Sequence, residues 1–323
     1  MPLLVDTDGG VDDAVALFWA ATSPDVELVA VTVVHGNVPL EVAAANVCTV
    51  LEAAGRHDVA VAVGADEAIG DVPPLRPATF IHGTDGLGDT GRRPARTWQI
   101  AEDACGVLIE RCAERPGELT LVTLGPLSNV ALALRRDPML ATNVRRLVVM
   151  GGAAATQGNA LPGAEANIAH DPTAAAEVAA APWAMPPLLV GLDVTHQATI
   201  TTELVALLAE ERTPAARFLR APLDFYRQAA GTFCAPGEFP CHDLLATLAA
   251  VQPLVDGPTL PMAVQDQPGP AWGATVVDRR VPFFERAGSG SVQSTTTGFT
   301  PWQIGTEVDV AAFRDAVAAL FGG

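Results

Sequence analysis

Short apolar runs recur along the 323-residue chain, and several are followed by a stretch with helical spacing. The runs are PLLVD from Pro2, ELVAVTVV from Glu27, VAVAVG from Val59, ELTLVTL from Glu118, RRLVVM from Arg145 and PPLLVGLDV from Pro186. VDDAVALFWAAT follows the first. EVAAANVCTVLEAAG follows the second, with Ala43, Val47, Val50, Leu51 and Ala54 at helical spacing and Gly55 as a stop. A further helix is expected to begin near Pro126. A strand that is apolar throughout must be covered on both faces. Its alternation with helices predicts an α/β fold with an open, mostly parallel central sheet and helices on both faces. Residues 201–250 read as mainly helical, ATVVD and SVQSTTT as short strands, and DVAAFRDAVAALFG as the last helix. No repeat or clear linker interrupts the chain, so residues 1–323 are expected to form one domain.

In sheets of this kind ligands gather beyond the carboxyl ends of the strands. Asp6–Asp8, His35–Asn37, Leu124–Pro126 and Met150–Gly152 all follow strand ends and should converge. The first lies in LLVDTDGGVDDAVAL, which places Asp6, Asp8, Asp12 and Asp13 within eight positions. A helix N-terminus favours negative charge by ~0.3–1 kcal/mol. Two unit charges about 4 Å apart repel by ~4 kcal/mol at an effective dielectric near 20. A divalent cation resolves that conflict, and Gly9 and Gly10 let the backbone turn tightly around one. Oxygen ligands select Ca²⁺ or Mg²⁺; without Cys or a His pair here, zinc is disfavoured. The plainer alternative is an acidic capping turn with no metal. Asp243, beside His242 in CHDL, is a candidate ligand from elsewhere, or else a helix cap.

The formal charge of −18 argues against broad binding to nucleic acid or an anionic membrane. Every basic residue is Arg, which excludes a phosphate-loop, Schiff-base or general-base lysine. The five cysteines, Cys48, Cys105, Cys112, Cys234 and Cys241, form no C-x-x-C pair, and the first three fall in helix-like segments as buried thiols. Together with an opening that lacks a basic, apolar leader, this predicts a reducing, cytoplasmic setting. Residues 173–195 are Ala-rich but broken by Glu177, Pro182, Pro186 and Pro187, so no membrane span is expected. Two long loops, 64–97 and 151–171, hold FIHGTDGLGDTG and GGAAATQGNALPGAEANIAHD and invite a functional reading.

The opening motif resembles the D-x-D-P-G-x-D-D of the inosine-uridine preferring nucleoside hydrolases, with Gly9 where proline is usual. The resemblance continues in the family's order through VVHGN, IHGTDGLG, LVTLGPLSNVALAL, VVMGG, GNALPGAEANIAHDPTAA, VGLDVTH and CHD, over nearly the whole chain. It implies a Rossmann-like open α/β fold, one bound Ca²⁺, and hydrolysis of the N-glycosidic bond of ribonucleosides to ribose and free base. By the same resemblance Asp8, Asp13 and Asp243 supply carboxylate ligands, and the main-chain oxygen of Leu124 a further one. Asp12 grips a ribose hydroxyl. Asn37, Asn159, Glu165 and Asn167 make the other ribose contacts, with Met150 nearby, and His82 and His242 stand at the base end. The chemistry suits these residue types, because cleavage passes through an oxocarbenium-like sugar that a carboxylate-rich site stabilises. Asp8 is the candidate general base. His242, with an unperturbed pKa of about 6.5, is the candidate acid for the leaving base. The family forms homodimers and homotetramers, so an oligomer is implied.

Three departures bear on substrate choice: Gly9 for proline, Ala166 where an aromatic is common, and LDFYRQAAGTFCAPGEFP, whose Phe225 and Tyr226 are candidates to cover the base. Taken singly, Asn37 and Asn159 could be turn residues after glycine, and Glu165 a solvated loop charge. His196 reads as a loop-ordering residue and His57 as a surface one. Other functions remain open. DTDGG resembles the start of haloacid dehalogenase-type phosphatases, but their downstream lysine has no counterpart here. An EF-hand fails because its twelfth position, counted from Asp6, is Leu17. A catalytically silent nucleoside-binding protein would carry the same ribose contacts.

Overall fold

The structure, a computed structural model, describes residues 1–71, 73, 75, 78–230, 237–280 and 298–323. Seven of its strands are β1 (Pro2–Thr7), β2 (Glu27–Val33), β3 (Ala60–Val63), β4 (Ile100–Ala101), β5 (Thr120–Thr123), β6 (Arg146–Met150) and β7 (Leu188–Val190). They lie parallel in the order β7-β6-β5-β1-β2-β3-β4. Beyond β7 the strand Thr300–Ile304 continues the parallel set, and Thr259–Val264 and Thr275–Val277 complete a ten-stranded sheet in antiparallel pairing. The expected open, mostly parallel α/β sheet is therefore present.

β1 sits between β2 and β5, with Val5 opposite both Val31 and Val122. The chain builds outward in one direction through β2 to β4, then returns and builds the other way from β5. β1 and β5 thus border the topological switch point, where the flanking loops part and leave a crevice. Alternate side chains serve opposite faces. Leu3 and Val5 pack with α1 (Val11–Thr22) in one hydrophobic cluster, while Leu4 and Leu121 belong to a second. Ala14, Ala16, Ala20 and Ala21 keep α1 slim, and every residue from Val11 to Ala21 is buried. It packs against the helix His242–Val251 and against α2 (Leu40–Ala53).

PPLLVGLDV departs from the expected strand: only Leu188–Val190 pairs, and the helix Leu192–Thr195 follows at once. Asp193 accounts for the break, because its carboxylate accepts the N–H groups of Ala154 and Ala155, both at 2.7 Å. ATVVD does form a strand, Thr275–Val277, whereas SVQSTTT lies outside the described residues. Thr259–Val264 and Thr300–Ile304 are further strands of this Pro- and Gly-rich stretch, and each carries a proline. Pro261 and Pro301 face each other in register, so the two missing N–H groups fall on one rung.

Cys48, Cys112 and Cys241 are buried and Cys105 half-buried, all as free thiols; Cys234 lies outside the described residues. Burial pushes Cys48 and Cys112 up to about 12 and Cys105 to about 11, so these thiols stay protonated. Among the described residues no helix is long and apolar enough to cross a membrane.

Candidate active site

The four aspartates of the opening turn do different things. Asp6 points beneath the crevice, where Oδ1 accepts Thr32 Oγ1–H at 2.5 Å and Asn129 Nδ2–H at 2.8 Å. Burial pushes its pKa up to about 7, against those two hydrogen bonds. Asp6 therefore braces β1, β2 and the start of the helix Ser128–Arg136. After β1 the backbone turns at Gly9, whose φ of +72° is open to glycine and closed to proline. The Gly9 N–H reaches Thr7 Oγ1 at 3.3 Å, a bond that proline lacks the donor to make. Thr7 Oγ1 in turn donates to Asp13 Oδ1, and Gly10 N–H donates to Asp13 Oδ2 at 2.8 Å. Asp13 is thus fixed through both oxygens at the start of α1.

Asp8 lies just past the end of β1 and is fully buried. Asn37, just past β2, holds it by two bonds: the backbone N–H to Oδ2 at 2.9 Å and Nδ2–H to Oδ1 at 2.8 Å. The Tyr226 hydroxyl and the Asp243 backbone lie beside Asp12 and favour its ionised form, against burial. Asp12, Asp13 and Asp243 each offer a carboxylate oxygen within 4.8 Å of the others, and all three are buried. The opening turn and CHDL therefore meet. Asp8 stands beside this group, coupled by charge to Asp13 first and then to Asp12.

Burial and mutual repulsion lift these carboxylates. Asp8 and Asp243 rise well above their ordinary range, each through burial first and neighbouring aspartate charge second. Asp12 is pushed up to about 7 by burial and by Asp13. Among the described residues no arginine forms an ion pair with any of the four. Crowded, buried, all-oxygen and without a cationic side chain, the group fits a hard divalent ion.

Across the crevice, Asn167 and Glu165 rise from the 151–171 loop. Asn167 Nδ2 donates to the carbonyls of Leu124 at 2.9 Å and Met150 at 3.1 Å, tying the loop to the ends of β5 and β6. The Leu124 oxygen keeps a second lone pair. Glu165 is 2% exposed, so it is no solvated loop charge. It accepts backbone N–H bonds from Gly152 and Asn167 at 3.0 Å and Ile168 at 3.3 Å. Burial still wins and lifts its pKa to about 7. Asn159 differs from its neighbours: it is exposed, and its Oδ1 accepts Ala166 N–H at 2.9 Å.

His82 closes the short helix α3 (Thr79–His82). Its Nδ1 accepts Val11 N–H at 3.1 Å and lies 3.8 Å from Asp12 Oδ1. Burial holds its pKa down to about 4, so the ring is a neutral acceptor. Tyr226 is buried against it at 5.6 Å, and Phe239 lies behind Tyr226 at 5.9 Å. His242 Nδ1 lies 2.8 Å from Thr195 Oγ1, and its ring meets His196 edge-on at 5.8 Å. Its pKa is pushed down to about 3, first by burial and then by His196 and His82, far from the near-neutral value expected. His57 is exposed, as expected; His196, expected to order a loop, is also exposed and sits at the C-terminal cap of Leu192–Thr195 with its ring against His242.

Thr7, Asn46, Asn129 and Thr195 went unnoticed in the sequence. Thr7 sits between two of the aspartates, a position that could have marked it; the other three are polar residues in apolar runs or beside prolines and glycines, with no such signal. His35 and His170 were the least assignable histidines, each adjoining a motif outside its core; their rings meet edge-on at 6.3 Å. His35 Nε2 is 2.9 Å from Ser128 Oγ, which donates to Asp171 Oδ2 at 2.6 Å, bracing the segment that carries Asn37.

A sequence model of the inosine-uridine preferring nucleoside hydrolase family matches residues 3–315. A probable uridine nucleosidase 2 of Arabidopsis thaliana is 36% identical over 91% of this chain and 90% of its own. Among solved structures, a plant nucleoside hydrolase superposes with a TM-score of 0.86 at 32% identity, covering 100% of this chain and 99% of its own. A purine-preferring ribonucleoside hydrolase from Gardnerella vaginalis gives 0.85 at 31%, covering 100% and 98%.

Proposed function

The chain belongs to the inosine-uridine preferring nucleoside hydrolase family and is a nucleoside hydrolase, and from that premise we propose that residues 1–323 act as one Ca²⁺-dependent domain that splits ribonucleosides into ribose and free base. The observation that carries this reading is the meeting of Asp12 and Asp13 with Asp243 within 4.8 Å. Two segments far apart in the sequence bring buried carboxylates together without a cationic side chain. An acidic capping turn would need no such partner.

Asp8, Asp13, Asp243 and the Leu124 carbonyl would hold the ion, with Asp12 at its side toward the sugar. Bound there, Ca²⁺ would neutralise the carboxylates, acidify water and gather the sugar hydroxyls. Asp8 accepts the proton of the attacking water, with Asn37 fixing both of its oxygens so that the base cannot swing away. As the C1′–N bond breaks, its electron pair leaves with the base and water oxygen joins C1′. The positive charge that develops on the sugar is met by the surrounding carboxylates. Asp12, Asn37, Asn159, Glu165 and Asn167 bind the ribose, with Met150 against it. His82 and His242 face the base. His242 rests as a neutral imidazole; negative charge growing on the departing base raises the ring's proton affinity, so it takes a proton from solvent water and hands it to the base nitrogen, and the base leaves neutral.

The relatives differ in the base they are named for, so the test is a panel of purine and pyrimidine ribonucleosides scored for released reducing sugar, in calcium and in chelator. Release that chelator abolishes and calcium restores is the expected result. Binding of nucleosides without release at any calcium level would leave a silent nucleoside-binding protein, and phosphate release from phosphomonoesters would favour a phosphatase.

A further inference from the structure

Asn46 lies in the middle of α2, 1% exposed, on a helix whose neighbouring turns present Ala43, Val47 and Val50 to the core. Packing alone would select an apolar residue there. Its Nδ2 instead splits two protons between carbonyls of different segments, Gly9 at 2.9 Å and Asp85 at 2.8 Å. Both partners are acceptors, so the amide orientation is fixed. Its Oδ1 is buried and has no partner among the described residues, which leaves the two donated bonds as the reason for the amide.

We propose that Asn46 is a positioning residue that sets the aspartate turn and the base-end loop at one spacing. The proposal rests on the hydrolase reading and adds to it a device outside the pocket. A peptide group is planar and trans, so its C=O and N–H point opposite ways. The Gly9 carbonyl held by Asn46 belongs to the same plane as the Gly10 N–H, which donates to Asp13 Oδ2 at 2.8 Å. Asn46 therefore orients Asp13 through one peptide. At its other bond it grips a loop that behaves as a block. Asp85 accepts N–H bonds from Leu87, Asp89 and Gly91 at 2.7–2.9 Å, and Gly88 N–H closes onto the His82 carbonyl at 2.8 Å. His82 then returns to the turn through Val11. Gly86 makes room for the contact: its φ is +72°, and a Cβ there would lie 2.6 Å from Asn46 Nδ2.

Two substitutions approach the same contact from different elements: Asn46→Leu removes both donors, and Gly86→Ala crowds the amide while leaving it in place. The readouts are terbium affinity by luminescence titration, kcat and KM on the nucleoside that the unsubstituted chain cleaves best, and melting temperature. In both variants terbium affinity and kcat should each fall by about 10- to 100-fold, as when a partner behind a metal ligand is lost. A loss confined to melting temperature, with affinity and kcat within about twofold of the unsubstituted chain, would make Asn46 a packing residue and overturn the proposal. Should Asn46→Leu fail to fold, Gly86→Ala decides alone. If the unsubstituted chain cleaves no nucleoside, the hydrolase reading fails, while the terbium arm still decides whether Asn46 governs the turn.

Discussion

Glu165 should make the protein less stable as pH rises from 5 to 8, and Glu165→Gln should remove that loss. Burial lifts the folded pKa from 4.5 to about 7. The folded chain therefore keeps a proton that the unfolded chain releases near pH 4.5. Over that interval the native state binds more protons, so stability declines with pH at up to ~1.4 kcal/mol per pH unit and levels off above 7. Integrated from pH 5 to pH 8, this one group costs about 2.5 kcal/mol. Glutamine is neutral throughout. At pH 5 the variant should start below the unsubstituted chain by ~1–3 kcal/mol, because its amide turns a donor toward backbone N–H groups. By pH 8 it should have gained about 2.5 kcal/mol on that chain. Urea unfolding of both proteins at the two pH values, in chelator, measures the gap. A gap that stays constant to within about 0.5 kcal/mol, against a slope of ~1.4 per pH unit, would refute a folded Glu165 that holds its proton. A ribose hydroxyl donating to the carboxylate favours the ionised form, so ribose added at pH 6 should release protons, visible as buffer-dependent heat.

Asp8→Asn should lower kcat by at least ~10³-fold with the fold intact by circular dichroism, because it removes the proposed base and a crowded charge together; near-normal turnover would dismiss Asp8 from that role. Thr195→Val removes the partner of His242 Nδ1 at 2.8 Å and should reduce kcat by about 10-fold with KM little changed, measured by steady-state kinetics.

The parallel, doubly covered sheet was legible in the apolar runs, since residues such as Val5, Val31 and Val122 must be covered on both sides wherever they are placed; the strand order was not, because it depends on long-range pairing. The acidic turn was legible for an electrostatic reason: four carboxylates in one turn need something to offset their repulsion. Its inner division of labour was not. Asp6 looks like its neighbours in sequence, yet strand alternation turns it to the opposite face, where Thr32 and Asn129 claim it. Tyr226 was visible only as an aromatic of uncertain alignment, because its contact with Asp12 spans most of the chain. The depressed pKa of His242 depends on burial and on two histidines from other segments, neither of which a single position can express. Asn46 had no signature at all, since its role is two bonds to backbone that any residue could carry.

The carboxylate group also fixes when the site can come into being. Asp13 and Asp243 are separated by 230 positions, so a ribosome must finish most of the chain before the second half of the carboxylate cluster exists. An ion held there, as proposed, could not serve as a seed for early folding. It would act as a fastener, closing an already assembled sheet at the point where its two halves diverge.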